Sequence, residues 1–163
     1  MDLKAKTEIL QKLIERLESD RESLMQAARN TYEAATHEES EAEDQYDTRG
    51  LEASYLAGAQ AKRVGDLEQM ILQYRFLRIE GFQPTDAIRT TALVELQNDS
   101  SKTIHCFLLP SGGGVSLQHA GKTIQIISPQ SPLGEVLMGR HAGDDAVVET
   151  GAAIKEYEII SVC

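Results

Sequence analysis

Leucines recur every seven residues at Leu3, Leu10, Leu17 and Leu24, with Leu13, Ile14, Ala28 and Ala35 filling the companion seam. A seven-residue apolar repeat predicts a coiled-coil helix rather than a strand, because only a helix brings such positions onto one face. Neither Pro nor Gly interrupts residues 1–49. A second segment, Leu51 to Ile79, places Ala57, Ala61, Val64, Ile71 and Tyr74 at three- and four-residue steps and also reads as helix. Two helices of similar length with a short polar connection predict an antiparallel hairpin. At 1.5 Å per residue, ~35 residues give an arm of roughly 50 Å. Two helices bury little alone, so such an arm projects toward a partner or dimerises. Gly58 and Gly65 lie on one face of the second helix. They mark either a close approach of the helices or tolerated surface glycines, each costing about 1 kcal/mol relative to Ala.

After Gly81-Phe82-Gln83-Pro84 the period changes. Thr91–Gln97, Thr103–Leu109, Lys122–Ile127, Asp145–Thr150 and Ile154–Val162 are rich in β-branched residues and partly alternate, as strands do. Ser131–Gly139 reads as a short helix, with Pro132 near its start and Gly139 suited to its C-terminal cap. Gly112-Gly113-Gly114 reads as a turn. The expected organisation is a helical hairpin over 1–80, then a small α+β domain over 84–163 with a mostly antiparallel sheet and one short helix.

The formal net charge of -10 changes the choice of partner. Asp and Glu outnumber Lys and Arg by 17 to 11 in residues 1–80 and by 9 to 5 in residues 81–163, so neither half is a hidden basic module. Specific DNA binding is excluded on that ground, since neutralising phosphates requires clustered Lys and Arg. A protein with a basic surface is the expected partner. No apolar run approaches the roughly 18 residues of a membrane span. Met1-Asp2-Leu3-Lys4 lacks the apolar core of a signal peptide. Cys106 and Cys163 form neither a metal-ligand spacing nor a disulfide framework. A reducing cytoplasm is the expected location.

Six carboxylates fall within Glu38–Asp47, with no Lys or Arg among them, between the two helical segments. The plain reading is a solvated turn. A self-contained calcium loop is excluded: started at Glu39, it puts Asp44 where Gly is needed and Gly50 where the bidentate Glu is needed. A partial Mg²⁺ site remains open, because one or two carboxylates suffice when a substrate or partner supplies the other ligands. Glu38 and Glu41 are three apart and share a face if the first helix extends that far. Gly121-Lys122-Thr123 does not make a phosphate loop, because Ser116 stands at the first glycine position and a strand follows. His37, His105, His119 and His141 show no ligand or triad spacing. Cys106, inside a strand, reads as packing.

The run Ile126-Ile127-Ser128-Pro129-Gln130-Ser131-Pro132-Leu133-Gly134-Glu135-Val136-Leu137-Met138-Gly139 continues through Gly143-Asp144 to Val147 and Val148. It resembles the C-terminal domain of the bacterial GreA/GreB transcript-cleavage factors. Leu108-Leu109-Pro110 and the closing Tyr157-Glu158-Ile159-Ile160 resemble that family as well. The resemblance implies an FKBP-like fold without isomerase activity. It implies docking on RNA polymerase beside the secondary channel, through a domain marked by Ser128, Pro129, Ser131, Pro132, Leu133, Gly134, Gly139, Gly143 and Asp144. It also implies that the coiled coil enters the channel and brings its tip to the polymerase active site, near the 3′ end of backtracked RNA. The protein would then be no enzyme itself and hold no cofactor of its own.

The family tip carries an Asp and a Glu three residues apart, followed by Asn-Ala-Glu-Tyr. Matching Ser40-Glu41 puts Glu38 on the Asp position and requires one extra residue before Tyr46. Matching through Tyr46 puts Glu39 on the Asp position and Ala42 on the Glu position, losing one acid. The first match keeps both carboxylates and is preferred. Glu38 and Glu41 are then the expected ligands of a Mg²⁺ shared with the polymerase, with Glu39, Glu43, Asp44, Tyr46, Asp47 and Arg49 as tip support. The altered tip also admits a secondary-channel regulator that acts without cleavage. The heptad leucines alone admit a coiled-coil scaffold. An FKBP-type isomerase or chaperone is a weaker reading, since aromatic residues make up 5% of the chain and Trp is absent.

Overall fold

The computed structural model describes residues 2–36, 49–151 and 153–163. Helix α1 spans Leu3–Thr36 and helix α2 spans Arg49–Arg75. Six strands follow: β1 Leu93–Asn98, β2 Thr103–Leu108, β3 Ser116–His119, β4 Lys122–Ile127, β5 Asp145–Thr150 and β6 Ala153–Val162. A short helix α3, Pro132–Leu137, lies between β4 and β5. Contacts divide the chain into one unit of Met1–Lys12 with Arg78–Cys163 and a second of Leu13–Leu77.

The second unit is the helical arm. Among the described residues, its buried side chains are Leu13, Ile14 and Leu17 of α1 and Ile71 and Tyr74 of α2. Glu18 accepts a charge-assisted hydrogen bond from Arg75. Glu18 lies midway along α1 and Arg75 ends α2, so the two helices lie side by side there. Burial thins beyond this point: Leu24, Ala28 and Val64 are half-buried, and Ala61 is exposed. Added Cβ atoms at Gly58 and Gly65 would meet nothing within 4 Å. Among the described residues, the close-approach reading of these glycines therefore fails.

In the other unit the sheet order is β3-β4-β2-β1-β6-β5. Every neighbouring pair is antiparallel except β2 and β4, which run parallel with His105 beside Ile124 and Leu108 beside Ile127. One face carries Val94, Leu96, Cys106, Leu108, Ile127 and Ile159, which form the core with Leu137 of α3. β1 and β6 slip register between Glu95 and Leu96, which leaves Ile160 outside the ladder and 42% exposed. Leu93 and Cys163 exchange both backbone hydrogen bonds, extending the pairing one residue past the end of β6.

The first turns of α1 belong to this unit. Lys12 Nζ donates to the Gln118 carbonyl, and His119 Nε2 lies 3.8 Å from Glu8 Oε2. The heptad stripe therefore serves two units: Leu10 is buried in the sheet unit and Leu17 in the arm, while Leu3 is 49% exposed.

Candidate functional site

The Ser128–Asp144 segment is built around α3. Ser131 is its N-cap, in extended backbone, and Pro132 follows where a missing N–H costs nothing. Ser131 Oγ donates to the Ser128 carbonyl at 2.7 Å and accepts from the Gly134 amide at 3.1 Å. A Cβ on Gly134 would lie 1.9 Å from the Ser128 carbonyl oxygen, so only glycine fits. Leu133 packs half-buried on the core, and Leu137 is fully buried. Met138 is the C-cap and Gly139 follows at φ +79, the left-handed turn that ends many helices. The Gly139 amide donates to Ile88, and the Ile88 amide donates to Arg140, so the helix end is tied to the incoming chain.

Gly143 and Asp144 close the segment. The Gly143 amide donates to the Ile159 carbonyl, and the Ile159 amide donates to the Asp144 carbonyl. Asp144 Oδ2 accepts from the His141 amide at 2.8 Å. Arg140 donates to the carbonyls of Val136 and Asp145. These bonds fix α3 against the edge strand β5. The same segment leaves Gln130, Pro132, Glu135 and Met138 exposed on its outer side. Its polar groups are largely spent on holding its own shape.

Chemistry is scarce on the described residues. Cys106 is fully buried, and burial pushes its thiol up to about 12. The pKa of His105 is lowered by burial first and by nearby Lys122 second, against the opposing pull of Glu95. His141 is committed to its turn with Asp144. Among the described residues, no group of three His, Cys, Asp or Glu side chains is placed to hold a metal. Glu38, Glu39, Glu41, Glu43, Asp44, Tyr46 and Asp47 lie outside the described residues. Arg49 is the first residue of α2, and its side chain is not described.

One cluster gave no sequence signal. Lys6 is 1% exposed, and its ammonium donates to the carbonyls of Glu80 at 2.6 Å and Cys163 at 2.9 Å. It lies 4.4 Å from the Phe82 ring centroid, and Arg89 lies 4.3 Å from the same ring. Arg89 in turn pairs with Glu80 at 3.0 Å. Burial lowers the Lys6 pKa to about 8, against the opposing charges at Cys163 and Glu80. Thr91 holds φ +73, rare for a β-branched residue. Its hydroxyl accepts from the Glu80 amide and its own amide donates to Leu108, which secures that strained turn. The cluster fastens the first turns of α1 to residues 80–91.

The family described as "Transcription elongation factor, GreA/GreB, C-term" matches residues 83–163. This match covers α3, the whole sheet and both ends of the signature segment. The chain belongs to the GreA/GreB family. Relatives agree, two over most of their length and one over 60% of it. A transcription elongation factor GreA of Nitratidesulfovibrio vulgaris is 28% identical over 154 residues, covering 94% of this chain and 88% of the relative. A GreA of Amoebophilus asiaticus is 28% identical over 101 residues, covering 62% of this chain and 60% of the relative. The transcription inhibitor protein Gfh1 of Thermus aquaticus is 27% identical over 154 residues, covering 93% of this chain and 90% of the relative. Gre-family membership accounts for the pairing of a two-helix arm with a small sheet domain. No helix among the described residues is long and apolar enough to cross a membrane.

Proposed function

We propose that this Gre-family chain binds bacterial RNA polymerase, inserts its helical arm into the secondary channel and stimulates cleavage of backtracked RNA. The observation that carries the reading is the family match over the sheet domain, joined to an antiparallel arm whose helices flank the acidic segment. The sheet domain is the dock, and the exposed side of the Ser128–Met138 segment is the surface it offers. The arm carries carboxylates to a distant site rather than forming a pocket of its own. The protein is an activator of the polymerase's own nuclease, not an enzyme by itself.

Glu38 and Glu41 are the residues that would hold a Mg²⁺ shared with the polymerase. Carboxylate oxygens are the donors this hard cation prefers, and two of them suffice when another protein supplies the remainder. Such a cation, when bound, stabilises charge on the oxygens of an in-line displacement. Glu38 and Glu41 also orient the attacking water by accepting its hydrogen bonds. Glu43 and Asp44 deepen the negative field, while Glu39, Tyr46, Asp47 and Arg49 support the tip.

A second reading has its own support: a secondary-channel regulator that occupies the channel without promoting cleavage. The likeness to a transcription inhibitor, at 27% identity against 28% for a GreA and over a similar share of the chain, favours it, as does a Glu at the Asp position of the tip. The test is a halted, backtracked polymerase carrying labelled RNA, with protein and Mg²⁺ added. Short 3′ products support cleavage stimulation. Slowed elongation without such products supports the regulator. Absence of any polymerase binding overturns both and favours a coiled-coil scaffold.

A further inference from the structure

The arm changes character along its length. Its base holds Leu13, Ile14, Leu17, Ile71 and Tyr74, all buried. Among the described residues, no side chain of 18–33 or 58–70 is buried; Leu24, Met25, Ala28, Val64 and Leu67 are half-covered. Tyr55 and Leu56, further out on α2, are exposed. Helices in proteins draw most of their stability from packing an apolar face, so the outer arm has little to hold it. Other costs fall on the same stretch. Gly58 and Gly65 sit inside α2, where glycine gives up more conformational freedom than any other residue. Among the described residues, nothing lies within 4 Å of either added Cβ, so no close packing offsets that loss. The Ser23 and Thr31 hydroxyls donate back to the Ser19 and Ala27 carbonyls at 2.9 Å, a local bond that slightly weakens a helix. Arg21 Nε and Gln60 Oε1 are shielded from water with no hydrogen-bond partner among the described residues, which costs further free energy.

We propose that the outer arm, residues 22–33 with 58–66, opens as a unit of its own while the base of the arm stays closed. A segment with few buried apolar contacts and exposed backbone hydrogen bonds opens at a free energy well below that of global unfolding. The boundary lies where burial stops, at Leu17 and Ile71, because the five buried side chains of the base must separate before it can open. The hydrogen bond from Arg75 to Glu18 stands at that boundary. Local opening has a consequence for insertion, and this consequence rests on the function proposed above. The walls of a channel supply contacts that the two helices do not give each other, so enclosure orders the outer arm. Part of the binding free energy then goes into ordering, and the arm is held less tightly than a rigid one of equal surface.

The test is amide hydrogen exchange of the full-length protein, corrected for intrinsic rates, first free and then with RNA polymerase bound. In the free protein, amides of 22–33 and 58–66 are expected to exchange at least ~100-fold faster than those of 13–17 and 71–74. Replacing both glycines (Gly58→Ala with Gly65→Ala) is expected to slow exchange in the outer arm about tenfold and to leave β1 and β2 unchanged. Equal protection along α1 from Leu13 to Thr31 overturns the proposal. So does a double substitution that slows β1 and β2 as much as the outer arm, or that slows neither. With polymerase bound, slower exchange in the outer arm supports ordering on insertion. Unchanged exchange there overturns the insertion reading, while the local opening stands on the free-protein rates.

Discussion

Replacing Gly134 by Ala puts one carbon where the backbone leaves no space. The new Cβ would sit 1.9 Å from the Ser128 carbonyl oxygen, 2.8 Å from its carbon and 2.9 Å from Ser131 Oγ. The first two are backbone atoms and cannot turn aside as a side-chain end would. Relief requires moving the Ser128–Ser131 turn or tilting α3. The first breaks the 2.7 Å and 3.1 Å bonds of the Ser131 cap, and the second lifts Leu133 and Leu137 from the core. Overpacking of this kind costs roughly 1–3 kcal/mol. Loss of the cap adds about 1 kcal/mol. Together they predict a loss of roughly 2–4 kcal/mol, which lowers the melting temperature of a domain this size by about 10 °C or more. The assay is thermal unfolding of the full chain, paired with amide exchange at β1 and β2 to locate the loss in the sheet unit. Gly139→Ala is the control: its φ of +79 is strained for Ala, but an added Cβ meets nothing within 4 Å. That change costs about 1–2 kcal/mol. Refutation is a Gly134→Ala protein that melts with the wild type, or one no less stable than Gly139→Ala.

Three further predictions follow from burial and space. Replacing Lys6 by Met removes the donor to the Glu80 and Cys163 carbonyls, and unfolding in urea is expected to show a loss of about 1–3 kcal/mol; an unchanged midpoint contradicts the clamp. The Cys106 thiol, pushed up to about 12 from 9.0 by burial, keeps its proton in the folded protein while the unfolded chain releases it. Stability from this group is therefore complete below pH 9 and falls as pH rises toward 12, and Cys106→Ala should flatten that fall in alkaline melts. Gly65→Ala in α2, with open space at its Cβ, should raise the melting temperature through a gain of about 0.5–1 kcal/mol, and a loss would restore the close-approach reading.

The strands were legible where β-branched residues are dense. Lys122–Ile127 and Asp145–Thr150 coincide with β4 and β5, since each buries apolar side chains at alternate positions, Ile124 and Ile126 in one and Ala146 and Val148 in the other. β3 escaped detection because Ser116–His119 is short and polar, with His119 its one buried residue. Its partner strand, not its composition, makes it a strand. α3 is shorter than Ser131–Gly139 because Ser131 turns outward to cap it and Gly139 turns left-handed after it. The heptad leucines announced a helix but not that its first turns belong with the sheet. That depends on Lys6 reaching Cys163 across the whole sequence, a contact no local pattern encodes. The signature residues were found by resemblance, and their geometry gives several of them a plain reason: Ser131 caps, Gly134 leaves room, and Gly143 and Asp144 tie the turn to β6. Composition alone marked the acidic segment, and its register rests on matching Ser40-Glu41 rather than Tyr46.

The central claim is that the arm delivers Glu38 and Glu41 to a polymerase to which the sheet domain is docked. It is tested most directly by the rate of 3′-end cleavage in a backtracked complex, measured with the wild type and with Glu38→Ala and Glu41→Ala at saturating protein. Stimulation by the wild type, lost in both variants while polymerase binding is retained, is the predicted result. Cleavage that persists at the wild-type rate in both variants contradicts it.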